Sequence, residues 1–178
     1  MKTKIFLLLL LTTTALVNAQ QKDFELRTSL SFTKSETLTV ENLAFQAIWD
    51  DKLSYSDNIG YYGGIAEMRV FKDNQHLQTI KNIEDGIALG KINFEVFDYN
   101  MDGYLDFTVP IDCGRSCNYS YYLYNSETKK FEHRKEWDYL RIQRMNKDKK
   151  QIISQPDGMK NNRKNYQVDG LKLIEIKK

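Results

Sequence analysis

The sequence is poor in the residues that most catalytic and metal chemistry uses. It holds two cysteines and two histidines in 178 residues. A thiolate metal site needs further Cys or His ligands close to the pair. The nearest, His133, stands alone. No Gly-x-Ser-x-Gly elbow, His-Glu-x-x-His pair or phosphate loop occurs. His76 falls on a strand-like run and His133 near a turn, both as surface or packing residues. Asp50 and Asp51 precede a polar stretch, Ser54 to Gly64, with room for a functional loop. Adjacent carboxylates on an extended chain point opposite ways, however, so they form no acid–base pair. These absences lead to the expectation of a protein that is not an enzyme.

Long hydrophobic runs are missing after residue 19, so the sequence offers no membrane-spanning segment there; a span needs about 20 apolar residues. The start differs. Lys2 and Lys4 precede the apolar run Ile5 to Leu11, and Val17-Asn18-Ala19 closes it with modest side chains. This is the layout of a secretory signal peptide over residues 1–19, with the mature chain beginning at Gln20. No cysteine stands at that cleavage site, which excludes a lipid anchor there. The expected location is the periplasm or the medium. Charge of one sign is also missing. The chain has 26 basic and 24 acidic residues, and the leader removes Lys2 and Lys4 but no acid. A mature chain of zero formal charge gives no reason to expect nucleic acid. The charge is unevenly spread: residues 141–178 hold 11 basic and 4 acidic residues, and residues 20–140 hold 13 and 20. Separate solvated faces account for this more simply than an anionic partner.

What is present is β-forming. Short runs of β-branched and aromatic residues alternate with Asn, Asp and Gly. Strands are expected over Phe24–Phe32, Leu38–Val40, Phe45–Trp49, Ile65–Phe71, His76–Ile80 and Ile92–Phe97. Others follow over Tyr104–Ile111 and Tyr119–Tyr124, at Ile152-Ile153, over Tyr166–Val168 and over Leu171–Ile176. Asp73-Asn74-Gln75 and Asp169-Gly170 read as hairpin turns. One or two helical turns are expected within Glu136–Met145. Residues 20–178 are long enough for one domain with a proper core. The class is all-β, with antiparallel hairpins forming a propeller-like or sandwich domain.

Residues 98–106 read Asp-Tyr-Asn-Met-Asp-Gly-Tyr-Leu-Asp. Oxygen-bearing side chains occupy the first, third, fifth and ninth places, and glycine the sixth. Calcium takes about 6–8 hard oxygen ligands in a flexible shell. Asp98, Asn100, Asp102, the carbonyl of Tyr104 and Asp106 fit that need. Val109 stands where an EF-hand requires a bidentate glutamate, and the flanks alternate like strands, so the loop is not an EF-hand. Asn, Asp and Gly also suit a plain turn; the register of the ligands favours calcium.

Phe97 to Phe107 resembles the calcium loop of the FG-GAP and VCBS repeats, the blades of integrin-type propellers. More narrowly, the chain is similar to small exported bacterial proteins that carry one such loop. In these an aromatic strand follows, here Tyr119 to Asn125, then a polar turn and an aromatic, here Lys129-Lys130-Phe131. The ending Asp169-Gly170-Leu171-Lys172-Leu173 is similar too. The resemblance implies calcium at Asp98, Asn100, Asp102, Tyr104 and Asp106, and a binding role. Periplasmic immunity and lysozyme-inhibitor-like proteins belong to this group, so it implies a protein partner such as a peptidoglycan hydrolase. An envelope glycan hydrolase and a structural or adhesive envelope component are the alternatives.

Two weaker patterns remain. Cys113 and Cys117 enclose three residues, one of them glycine. An exported chain permits a disulfide between them; free thiols and a redox role are the other readings. Tyrosines cluster at Tyr61, Tyr62, Tyr119, Tyr121, Tyr122 and Tyr124, with Trp137 and Tyr139 near by. Alternation puts Tyr119 and Tyr121 on one face and Tyr122 and Tyr124 on the other. One face is expected in the core. The other serves either ordinary cross-strand packing or an exposed aromatic patch for protein or glycan.

Overall fold

The computed structural model describes residues 27–177 apart from 51–53, 58–59, 84, 86–90, 114–116 and 156–159. Residues 1–19, expected as a leader, Asp51 and the middle of the Cys113–Cys117 turn lie outside the described residues, as do the side chains of Tyr61 and Tyr62.

Fifteen strands follow one another among the described residues. They are β1 (Thr28–Phe32), β2 (Glu36–Val40), β3 (Leu43–Trp49), β4 (Ser54–Ser56), β5 (Gly60–Tyr62), β6 (Ile65–Lys72), β7 (Gln75–Lys81) and β8 (Ile92–Phe97). After them come β9 (Asp106–Cys113), β10 (Cys117–Asn125), β11 (Lys130–His133), β12 (Ile142–Asn146), β13 (Gln151–Ser154), β14 (Lys164–Asp169) and β15 (Lys172–Glu175). The fold is all-β. Among the described residues no helix is long and apolar enough to cross a membrane.

Every strand pairing is antiparallel. The larger sheets run β2-β3-β6-β7, β1-β8-β9-β10-β11 and β12-β13-β14-β15, and β4 with β5 makes a small hairpin. The five-stranded sheet is the middle layer, because side chains from it enter two separate cores. Alternation sends Ile92, Phe94, Val96, Phe107, Val109, Tyr122 and Tyr124 to the core shared with β3 and β6. Tyr121 and Leu123 go the other way, to the core shared with Trp137, Met145, Ile152 and Val168. The arrangement is a layered sandwich. Phe107 is the hinge of the first core. Its ring stacks on Tyr122 at 4.8 Å and on Phe94 at 5.5 Å, and meets Phe45 and Phe131 edge-on. Such pairs add to plain area burial.

The layering decides between the two readings of the tyrosines in favour of packing. Tyr121, Tyr122 and Tyr124 are all buried and Tyr119 is half-buried, so β10 presents no aromatic face to solvent. Both of its faces are core. A correction concerns Glu136–Met145. Only Lys135–Trp137 forms a single 3₁₀ turn, and β12 begins at Ile142. Tyr139 has a left-handed φ of 61°, which no α-helix accepts. The charged C-terminal portion forms its own outer sheet, β12 to β15, in keeping with separate faces for the two signs.

Candidate functional site

The loop from Asp98 to Asp106 joins β8 to β9, two neighbouring strands of the middle sheet. Its conformation follows from its side chains. Asp98 accepts from the N–H of Asp102 at 2.9 Å and of Gly103 at 3.1 Å. Asp102 accepts from the N–H of Tyr104 at 2.9 Å and from the side-chain amide of Asn100 at 2.9 Å. The side-chain oxygen of Asn100 accepts from the N–H of Asp102 at 3.3 Å. Met101 and Gly103 take left-handed φ values of 60° and 92°. Only glycine adopts the second at little cost.

Asp106 closes the loop from below. Strand alternation buries Phe107 in the first core, so Asp106 faces away from it, and it is 0% exposed. One of its oxygens accepts from the N–H of Tyr99 at 2.8 Å and of Asn100 at 3.3 Å. The other accepts from the N–H of Tyr124 at 2.8 Å. The β9–β10 register pairs Tyr122 with Phe107, which sets Tyr124 level with Leu105, ahead of the start of β9. The carboxylate thus stands in for a missing strand carbonyl.

Among the described residues no Lys, Arg or His makes an ion pair with Asp98, Asp102 or Asp106. Burial pushes the Asp106 carboxyl well above the ordinary range, against the N–H bonds it receives, and the Asp102 charge adds to the rise. Burial also raises Asp98, with a further push from Asp102 and an opposing pull from Lys147. Three hard carboxylates, one amide oxygen and a backbone carbonyl are a donor set that suits calcium. The carboxylates are turned to backbone N–H groups rather than gathered on one point. Among the described residues no three His, Cys, Asp or Glu side chains converge as a metal group. The five predicted residues thus come together in one hydrogen-bonded loop.

Cys113 and Cys117 form a disulfide, as the first of the three readings expects, with 4.0 Å between Cα atoms. They face each other across the β9–β10 ladder, and Pro110 lies beyond the last β8–β9 pair, where its missing N–H costs nothing. The two histidines make local contacts. His76 meets Thr79 at 2.9 Å, and His133 meets Asp138 at 2.9 Å while stacking on Tyr122. Sequence reasoning missed the surroundings of the loop. Lys72, from the end of β6, places its ammonium 5.4 Å from the ring centre of Tyr104 and 5.0 Å from that of Tyr124. No local signal marks Lys72, because the strand pairing that brings it here is long-range.

No family model matches the chain, and no curated protein and no solved structure matches it either.

Proposed function

We propose that this chain is an exported binding protein without catalytic activity of its own, stabilised by one calcium ion and directed at a protein partner. The partner class is a peptidoglycan hydrolase, which the protein would inhibit or give immunity against. One observation carries the calcium part of the reading, and the partner class rests on the resemblance of the loop and the strand after it. The loop holds three carboxylates, one fully buried, with no ion pair to any cationic side chain among the described residues. A buried carboxylate is costly to ionise unless both hydrogen bonds and a counter-charge compensate it, and Asp106 has the three N–H bonds but no cationic side chain among the described residues. Asp98, Asn100, Asp102 and Asp106, with the carbonyl of Tyr104, would hold the ion. Bound there, calcium supplies that counter-charge. The chain's own part is to fix the link between two middle-layer strands through Asp106 and Tyr124. The Cys113–Cys117 bond and the leader-like residues 1–19 support a periplasmic or secreted location.

Three measurements test the parts separately. Calcium should raise the melting temperature of the parent and not of Asp102→Ala. The protein should show no hydrolysis of purified peptidoglycan and should lower the activity of a hydrolase recovered with it from envelope extract. N-terminal sequencing of exported material should begin at or near Gln20; an intact Met1 refutes the export signal.

A further inference from the structure

The calcium-type loop does not stand alone at its end of the sandwich. The β2–β3 turn, the β6–β7 turn and the β10–β11 turn meet it there, and together they line two adjoining hollows of about 230 and 540 Å³. Both hollows share Lys72, Tyr104 and Tyr124. Loops gathered on a rigid scaffold are where binding residues concentrate.

The chemistry of this groove is specific. Tyr104 is 42% exposed, one of few large apolar side chains so open. Its ring lies 5.2 Å from that of Tyr124, tilted by 46°. The Lys72 ammonium stands over the pair, 5.4 Å from the ring centre of Tyr104 and 5.0 Å from that of Tyr124. Neither Lys72 nor Lys129, at the wider hollow, ion-pairs with a carboxylate among the described residues. Gln75 and Ser126 add neutral hydrogen-bonding groups, while Asp73 is engaged by the Asn42 side-chain amide at 3.3 Å. A ring ligand can lie against an aromatic side chain, hydrogen-bond the amide and hydroxyl, and set a carboxylate on the two ammonium groups. An extended peptide would instead seek an open strand edge; Gln75, His76 and Leu77 of the edge strand β7 line the wider hollow, so an acidic peptide is the rival occupant that the test must exclude.

We propose that the groove binds an acidic saccharide, a pyranose unit carrying a carboxylate. Tyr104 is the stacking platform and Lys72, assisted by Lys129, holds the carboxylate. This goes beyond the calcium-stabilised partner-binding role and uses a different readout. Isothermal titration of the full-length protein in calcium-containing buffer would use three probes: a galacturonic acid trisaccharide, a neutral galactose trisaccharide and a tetra-aspartate peptide. The acidic trisaccharide should bind, and the neutral one at least about tenfold more weakly, a gap of about 1.4 kcal/mol. Lys72→Gln and Tyr104→Ala should each lose about tenfold or more, Lys72→Arg should retain binding, and Lys149→Gln on the outer sheet should change nothing. Circular dichroism confirms that each variant is folded, and Tyr104→Leu replaces Tyr104→Ala if that chain does not fold. No binding of the acidic trisaccharide, equal binding of the neutral one, or indifference to Lys72→Gln overturns the proposal. Binding of the aspartate peptide in place of the sugar also overturns it and hands the groove to an acidic protein segment. The calcium response of the melting curve is measured apart, so loss of one reading leaves the other standing.

Discussion

Asp106 holds three backbone N–H groups on one carboxylate, while Asp102 serves one N–H and one side-chain amide. The two should therefore fail differently when removed. Each buried donor left without a partner costs about 1–3 kcal/mol. Asp106→Ala should lose at least about 3 kcal/mol even in chelator, because three donors are orphaned. Asp102→Ala should lose about 1 kcal/mol there, since only the Asn100 amide among its two partners is buried and Tyr104 is exposed. Urea unfolding in chelator reads both; equal losses contradict the assigned roles. Asp85 offers a pH test away from the loop. It is 1% exposed and accepts from the N–H of Gly63 at 2.8 Å and of Ile65 at 2.9 Å. Burial raises its carboxyl above the usual value in spite of those bonds. The folded state then binds more protons than the unfolded state just above pH 4. Stability tied to Asp85 accordingly falls as pH climbs from the unfolded value, about 3.9, through the raised folded one. Asp85→Asn should flatten that decline in a series of melting curves. A decline as steep as in the parent contradicts it.

At the scale of elements, the strands with clean alternation were legible. Ile92, Phe94 and Val96 are buried on every second position of β8, as their spacing indicates. The loop after it was legible too, because Gly103 and the acids keep a register. Three things were hidden, each for a physical reason. β1 pairs with β8, Thr28 opposite Val96, and no local pattern reports a partner so far along the chain. Alternation sorts the tyrosines of the Tyr119–Tyr124 run onto two faces but leaves open whether the second is covered, which the packing of a distant sheet decides. The helical turns expected within Glu136–Met145 gave way to tertiary packing. Trp137 enters the second core from the end of a 3₁₀ turn and Leu140 from the irregular segment after it, and the indole N–H of Trp137 donates to the Leu171 carbonyl at 2.9 Å. The Cys113–Cys117 link joins neighbouring strands through a very short loop, so its chain-entropy effect is modest, about 2 kcal/mol. A Cys113→Ser, Cys117→Ser variant should unfold at slightly lower urea with an unchanged slope. A loss well above that figure would mean that the link shapes more than its own turn.

The whole molecule is three packed layers whose middle sheet contributes to both cores. Truncating Trp137, which is 0% exposed, should loosen the outer sheet through the second core, at about 3–5 kcal/mol. Hydrogen exchange should rise across β12 to β15 before β3 and β6 respond. The loop from Asp98 to Asp106 touches this plan at its centre. It precedes Phe107 of the first core, and it carries Tyr99 and Met101, which are buried in the second. An ion bound there should steady the entire domain. The most direct test is the melting temperature of the parent, of Asp102→Ala and of Asp112→Ala, with calcium and with chelator. Binding to the folded state alone, at a hundred times the dissociation constant, contributes about 2.7 kcal/mol, or a rise of about 5–10 °C for a chain of this size. The parent and Asp112→Ala should show that rise and Asp102→Ala should not. If calcium moves none of the three curves, the loop is a turn held by its own hydrogen bonds, and the calcium-stabilised account is wrong.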